Sequence, residues 1–266
     1  SATEILADLS TGRLRAATLM RETLDRIAQV NGPLNAIVAL RDEDALMQEA
    51  HEADQRRIRG PLHGLPIAVK DLVDVQGIRS TSGSPILQDY VPEQDDLLAA
   101  RLRAAGAILI GKTNVPEHGL GSHTFNPVYG ATRNPYDLSR TCGGSSGGMG
   151  SLRNPAAWNN VYGFRPSWGR VPSDPMGDMY LHQLSTLGPM ARSPEDIAIL
   201  LDVLSGPDSL VPLCSPKEEM SPLPGINCED VRIGWLGDWG GAFPMEDGIL
   251  PLCEGALGVF RDMGCS

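Results

Sequence analysis

Residues 141–155 read TCGGSSGGMGSLRNP, and this run constrains the chain more than any other stretch. Glycines bracket a Ser-Ser pair, and a third serine follows at Ser151. Such a run forms neither an ordinary helix nor a strand. Glycine reaches backbone angles closed to other residues and lets main-chain N–H groups approach a ligand. Serines in such a setting suit a nucleophile surrounded by backbone donors. A flexible Gly/Ser linker has the same composition. The surroundings must separate the two.

The chain has 266 residues, enough for one large globular core or two small ones. It carries 22 basic and 33 acidic residues, a formal net charge of −11. That balance disfavours broad nucleic-acid binding, because there is no basic excess to displace counterions from phosphate. The five cysteines, at 142, 214, 228, 253 and 265, form no CxxC or Cys/His cluster. They point to neither a disulfide framework nor structural zinc, and fit reduced thiols in the cytoplasm. The opening SATEILADLS lacks the basic and apolar regions of a signal peptide, and no apolar run reaches membrane-spanning length.

Periodicity predicts helices over 3–9, from Ala16 to Val30 (Met20, Leu24 and Ile27 on one face), and from Glu43 to Arg57 (Leu46, Ala50 and Ala53 inward). Asn31-Gly32-Pro33 should end the second. Short apolar runs at Ala36–Leu40 and Pro66–Val69 read as strands. Asp95 should cap a helix over 96–105 that stops at Gly106, with a strand at Ala107–Ile110, a helix–strand unit of an α/β fold. From Gly111 to Gly150 the chain is rich in Gly, Asn, Pro and Thr, as in an ordered, site-forming loop. Ser193-Pro194-Glu195-Asp196 starts a helix that ends at Ser205-Gly206-Pro207. A Pro/Ser-rich loop over 207–230, a strand at Val231–Leu236 and a helix at Leu250–Met263 complete the chain.

Lys70 ends the Pro66–Val69 strand and is followed directly by Asp71. A lysine at a strand end is ordinarily solvated, but in a partly dry site its pKa falls and it can act as a base. Other chemistries find less support. His63, His118, His123 and His182 show no metal-ligand spacing, and His51 reads as a surface residue. No GxSxG elbow follows a strand. GGSSGG lacks the lysine of a phosphate-binding loop. Cys142 has no electropositive neighbour and reads as a plain buried thiol. Serine nucleophiles with Lys70 as base remain.

Three blocks in order carry a specific resemblance: GPLHGLPIAVKD, GKTNVPEHGLGSHTFNPVYGATRNPYDLSRTCGGSSGG and GSLRNPAAWNNVYGFRPSWGRVP. Together they resemble the amidase signature family over most of residues 1–206, and weakly into RIGWLGDWGG. The resemblance implies one α/β domain over 1–266, a mixed sheet surrounded by helices, with a helical part over about 1–58 and a catalytic core over about 60–206. It implies a Ser–cis-Ser–Lys triad: Lys70 as base, Ser145 as the serine with the cis bond and Ser151 as nucleophile, with Ser146 in support. Neutral Lys70 would take the Ser145 proton and Ser145 that of Ser151, which attacks an amide carbonyl to give an acyl-enzyme that water resolves. The N–H groups of Met149 and Gly150 would hold the oxyanion. No cofactor or metal is implied, and the partner is a small-molecule amide; a homodimer is one assembly open to the chain. The alternatives are an inactive amidase-like binding protein and a glutamine-hydrolysing amidotransferase subunit, although VKDLVD looks more like free-standing amidases.

The chain departs from the family between Gly148 and Ser151. Family members carry a longer segment there, with a helix, a strand and an Asp, and they continue past the equivalent of Ser266. Either a longer protein is represented here without that segment, or the protein has a true deletion and is inactive. The first is favoured, because deleting a buried core strand should prevent folding.

Overall fold

A computed structural model describes residues 1–56, 60–144, 152–173, 180, 185–225, 227–229 and 231–266. The described chain forms two compact units, Ser1–Leu223 and Pro224–Ser266.

The first unit opens with helices α1 (Ala2–Thr11) and α2 (Ala16–Leu34). Ser1 and Glu4 close a capping box on α1, and Gly12 ends it in the left-handed region. The N-terminus of α2 has no side-chain cap of its own. Asp54 substitutes from a distant segment, accepting from the N–H groups of Ala16 (2.7 Å) and Ala17 (3.3 Å). Helix α2 does not stop at Asn31-Gly32-Pro33, as the sequence predicts. It runs on to Asn35, which takes φ 53° and donates its N–H to the Asn31 carbonyl. Proline in a last turn forfeits only one helical bond. The Asn31 side chain, bonded to the backbone of Ala36 and Ile37, turns the chain into the next strand.

Strand β1 (Ile37–Leu40), helix α3 (Glu43–Gln55), strand β2 (Pro66–Lys70), helix α4 (Leu97–Ala104) and strand β3 (Ile108–Thr113) follow. Asp42 caps α3, and Leu46, Ala50 and Ala53 are buried as predicted. The cap of α4 is Asp96, one residue later than expected. Asp95 instead accepts from the Gln76 N–H and pairs with Arg103. The sheet order is β1–β3–β2, with β3 antiparallel to β1 and parallel to β2. It is therefore a mixed sheet covered by helices, as expected. Met20, Leu24, Leu46 and Ala50 of α2 and α3 pack with Ile108 and Ile110 on one face. Leu102, Leu201 and Leu204 pack with Val69 and Leu109 on the other.

Short pairs β4 (Phe125–Asn126) with β5 (Gly130–Ala131) lie in the long segment after β3. Helix α5 (Arg153–Trp158), not anticipated from sequence, precedes β6 (Tyr162–Gly163), which pairs with β7 (Met190–Ala191). Helix α6 (Pro194–Leu204) starts as its sequence predicts, capped by Ser193. Arg101 of α4 donates to the carbonyls of Leu204, Gly206 and Pro207, satisfying the end of α6.

In the second unit, α7 (Ile249–Asp262) matches its predicted range closely. Val231–Leu236 is not a regular strand. Ladder-like bonds run from Ser266 N–H to the Val231 carbonyl and from Ile233 N–H to the Ser266 carbonyl, so a single residue pairs with it among the described residues. No described helix is long and apolar enough to cross a membrane.

Asp196 joins the beginning of the first unit to its far end. Its carboxylate accepts from Ala2 N–H (3.1 Å), Thr3 N–H (2.8 Å) and Thr3 Oγ1 (2.7 Å). Burial pushes this carboxyl up, but the bonds from Thr3, Ala2 and Ser193 outweigh it and hold it below the ordinary value. The ionised form is thus favoured by folding. Its contribution is complete above the ordinary carboxylate value of about 3.9 and is lost as pH falls through the lower folded value. Asp196→Ala should destabilise the protein by about 2 kcal/mol in urea unfolding at neutral pH, by leaving Thr3 donors unmatched. The gap to the parent should narrow below about pH 4; equal stability at neutral pH would dismiss the clasp.

Candidate active site

The site is built where β2 ends. Lys70 is the last residue of β2, opposite Thr113 of β3. The chain then turns sharply: Val73 N–H donates to the Lys70 carbonyl (2.9 Å) and Asp71 N–H to the Thr113 carbonyl (3.0 Å). Asp71 has 0% exposure. Its carboxylate accepts from Thr81 N–H (3.0 Å), Thr81 Oγ1 (2.6 Å) and Gly83 N–H (3.4 Å). Burial raises its pKa, against these donors and the nearby Lys112. Burial pulls Lys70 from 10.5 to about 7, so a substantial fraction is neutral near pH 7. The strand-end lysine singled out in the sequence therefore has the ionisation a base needs.

Lys70 lines an open cleft of about 1690 Å³, together with Thr113, Asn114, Thr132, Cys142 and Gly144. The cleft wall is the segment after β3, and its order comes from side chains rather than ladders. Asn114 Nδ2 donates to the Gly130 carbonyl and Thr132 Oγ1, both at 3.0 Å. Asn126 Nδ2 donates to Asn114 Oδ1 and the Val115 carbonyl, both at 2.7 Å, while its Oδ1 accepts from Val128 and Tyr129 N–H. Thr132 Oγ1 donates to the Asn35 carbonyl (2.6 Å), tying the segment to the end of α2. Asn134 and Asn159 bond the carbonyls of Trp158 and Cys142 across to α5. The site-forming loop expected from its Asn, Thr and Gly content is thus ordered over residues 114–144, with buried backbone groups satisfied by Asn and Thr.

This wall delivers Gly143 and Gly144 to the cleft, immediately before Ser145. Thr124 Oγ1 donates to the Gly143 carbonyl (2.6 Å). Gly143 has φ +80°, and a Cβ there would lie 2.9 Å from the Trp158 ring. A Cβ on Gly144 would lie 2.3 Å from Thr124 Oγ1. Both glycines are required by close approach, not by flexibility, which argues against a linker. Ser145, Ser146, Met149, Gly150 and Ser151 lie outside the described residues, as does His182. The structure therefore unites Lys70 with the glycines that lead into the serine run.

Of the other candidates, His51 is at the surface as read, whereas Cys142 is half-buried rather than a plain buried thiol. Cys142 Sγ contacts the Gly143 carbonyl at 3.2 Å, and burial raises its thiol pKa, which opposes thiolate formation. His63 is buried on the Ala53 carbonyl (2.9 Å), His118 and His51 are exposed, and His123 stacks on Trp158. Among the described residues no group of three His, Cys, Asp or Glu could hold a metal.

Sequence reading missed Lys112. It has 0% exposure, donates to the Val73 carbonyl, and is drawn down to about 8 by burial against the opposing pull of Asp71. The signal was present: a lysine closing an apolar strand, as in VKD, repeated in ILIGKT.

Gly144→Ala should push the entry to Ser145 away from Thr124 and lower turnover by on the order of 100-fold with the melting temperature nearly unchanged. Adding Thr124→Ala should restore part of the loss. Full activity in Gly144→Ala alone would show that the contact does not set the loop.

A family model described as Amidase matches residues 18–152 and 149–265. The chain is 35% identical to a glutamyl-tRNA(Gln) amidotransferase subunit of Thermus thermophilus, over 287 aligned positions that cover 99% of this chain and 58% of the relative. It is 37% identical to the AtzE subunit of 1-carboxybiuret hydrolase from Pseudomonas sp. strain ADP, covering 96% of this chain and 60% of the relative. Among solved structures, a bacterial aryl acylamidase of the amidase signature enzymes superposes with a TM-score of 0.88 at 30% identity, covering 100% of this chain and 59% of that one. The chain thus spans somewhat over half the length of these relatives. With a match that extends over nearly all of its residues, the chain belongs to the amidase signature family.

Proposed function

We propose that this chain is the core of a hydrolase that cleaves the carbon–nitrogen bond of a small amide, giving a carboxylate and ammonia or an amine. The observation that carries the reading is Lys70, near neutrality in a cleft whose wall runs directly into Ser145. Lys70 takes the proton of Ser145, Ser145 relays that of Ser151, and Ser151 attacks the carbonyl. The N–H groups of Met149 and Gly150 receive the oxyanion. Lys70 returns that proton through Ser145 to the departing nitrogen as the C–N bond breaks, and water then resolves the acyl-enzyme, its proton passing by the same relay to restore Ser151. The cytoplasm is the proposed setting, supported by five cysteines that are all free.

The short 148–151 connection is part of the proposal. We infer that the intact protein carries further residues there. The reading is supported by the family match, which falls into two pieces meeting at 149–152. It is supported also by the Thermus thermophilus alignment, whose 287 positions exceed the 266 residues of the chain. Intact mass well above 28.5 kDa is the expected result, whereas a mass at that value favours a true deletion and an inactive protein.

A second reading, an amidotransferase subunit, is favoured by the relative of that name. Its identity of 35% against 37% for the hydrolase subunit does not separate the two, and VKDLVD does not decide it either. Ammonia release from glutamine, measured with and without an ammonia acceptor, separates them, since only an amidotransferase component passes the ammonia on instead of releasing it.

Three outcomes follow from the catalytic assignment. Ser151→Ala should abolish labelling by a serine-reactive phosphonate; labelling retained at Ser145 or Cys142 overturns the nucleophile. Lys70→Ala should lower kcat/KM near neutrality by about 100-fold or more. In the parent, the base must be neutral, so kcat/KM should rise with pH, bend at about 7 and stay flat above. A profile with no bend in that region removes Lys70 as the base.

A further inference from the structure

The central strand contains one extra residue at a telling place. Along β2 and β3 the register is Ile67 opposite Leu109, then Ala68 opposite Gly111, so Ile110 is skipped. Side chains alternate between faces along a strand. Without the bulge Lys112 would follow Ile108 and Ile110 onto the face covered by α2 and α3. With it, Lys112 stands opposite Val69, on the face where Val69, Val73 and Leu109 pack. A bulge re-aims a side chain in this way. It needs Gly111, because a Cβ there would lie 2.3 Å from the Ala39 carbonyl oxygen.

The re-aimed ammonium donates to the Val73 carbonyl. Val73 in turn closes the turn that begins at Lys70. The acidic groups around Lys112 are Asp71, Asp74, Asp95 and Asp96, and Asp71 is the strongest influence. A lysine with 0% exposure is costly to keep where a Met or Leu would pack without desolvating a charge. Packing therefore does not account for it.

We propose that Lys112 is a positioning residue for Lys70: delivered by the β3 bulge, it clamps the turn at residues 70–73 from the far face of the sheet and so fixes the aim of Lys70 into the cleft. The inference rests on the reading of Lys70 as the base.

The test uses Lys112→Met and Lys112→Arg in the full-length protein, with steady-state kinetics and carbon NMR of the lysine Cε resonances. The NMR reads the Lys70 titration without reference to catalysis. Lys112→Met should lower kcat by on the order of 100-fold with KM unchanged. Its Lys70 midpoint should climb from about 7 toward 10.5 as the turn loosens and water enters. Lys112→Arg, which keeps the donor, should recover both. A folded Lys112→Met with parental kcat and Lys70 midpoint overturns the proposal. If Lys112→Met does not fold, Lys112→Arg decides: a parental midpoint and kcat support the clamp, and lost kcat with a parental midpoint overturns it. Full activity in Lys70→Met would instead remove the base reading, while the Lys70 midpoint in Lys112→Met still reports on the clamp.

Discussion

Gly111 lies so close to the Ala39 carbonyl that no side chain fits, and this contact sets the geometry of everything at the end of the sheet. It allows β3 to hold one residue more than β2 between Leu109 and Lys112. The apolar layers on both faces stay in register before the bulge. After it, the strand carries polar residues: Lys112 to one face, Thr113 beside Lys70, and Asn114 into the wall of the cleft. Hydrophobic packing builds the sheet, and the bulge is where packing hands over to polar chemistry.

Two lysines shielded from water at one end of the sheet, on neighbouring strands, would be a liability in a simple core, since each ammonium must be stripped of water. Here they have different surroundings. Lys112 is enclosed, with a carbonyl to bond and four carboxylates near it. Lys70 faces the cleft, and burial draws it down to neutrality. Burial lowers both, and what separates them is position: Lys70 lines the cleft, whereas Lys112 is fully enclosed on the Val73 carbonyl.

Much of this was legible in the sequence, for identifiable reasons. Helix α3 announces itself by periodicity, α6 by its Ser193 cap, and Lys70 by standing at the end of an apolar strand. Local rules failed where a side-chain bond that the pattern does not show overrode them. Helix α2 ignores Asn31-Gly32-Pro33 because the Asn31 side chain and Asn35 provide a later stop. Its start depends on Asp54, which no local pattern connects to it. Lys112 escaped notice because GKTN reads as the start of a loop, and a bulge leaves no mark on composition. The wall from Asn114 to Gly144 could be recognised as ordered, but its bonds, pairing residues such as Asn35 with Thr132, are invisible without coordinates. The serines were the reverse case: named by motif, while their geometry lies outside the described residues.

The clasp between Thr3 and Asp196 has a consequence for biosynthesis. The two partners are separated by 193 positions. During translation at roughly 5–20 residues per second, helix α1 would emerge and wait on the order of 10–40 s before its anchor is made. Throughout that interval the apolar face of α1, with Leu6 and Leu9, has only part of its final packing available. Helix α1 is therefore synthesised well before its anchor and is among the last elements of the first unit to be secured.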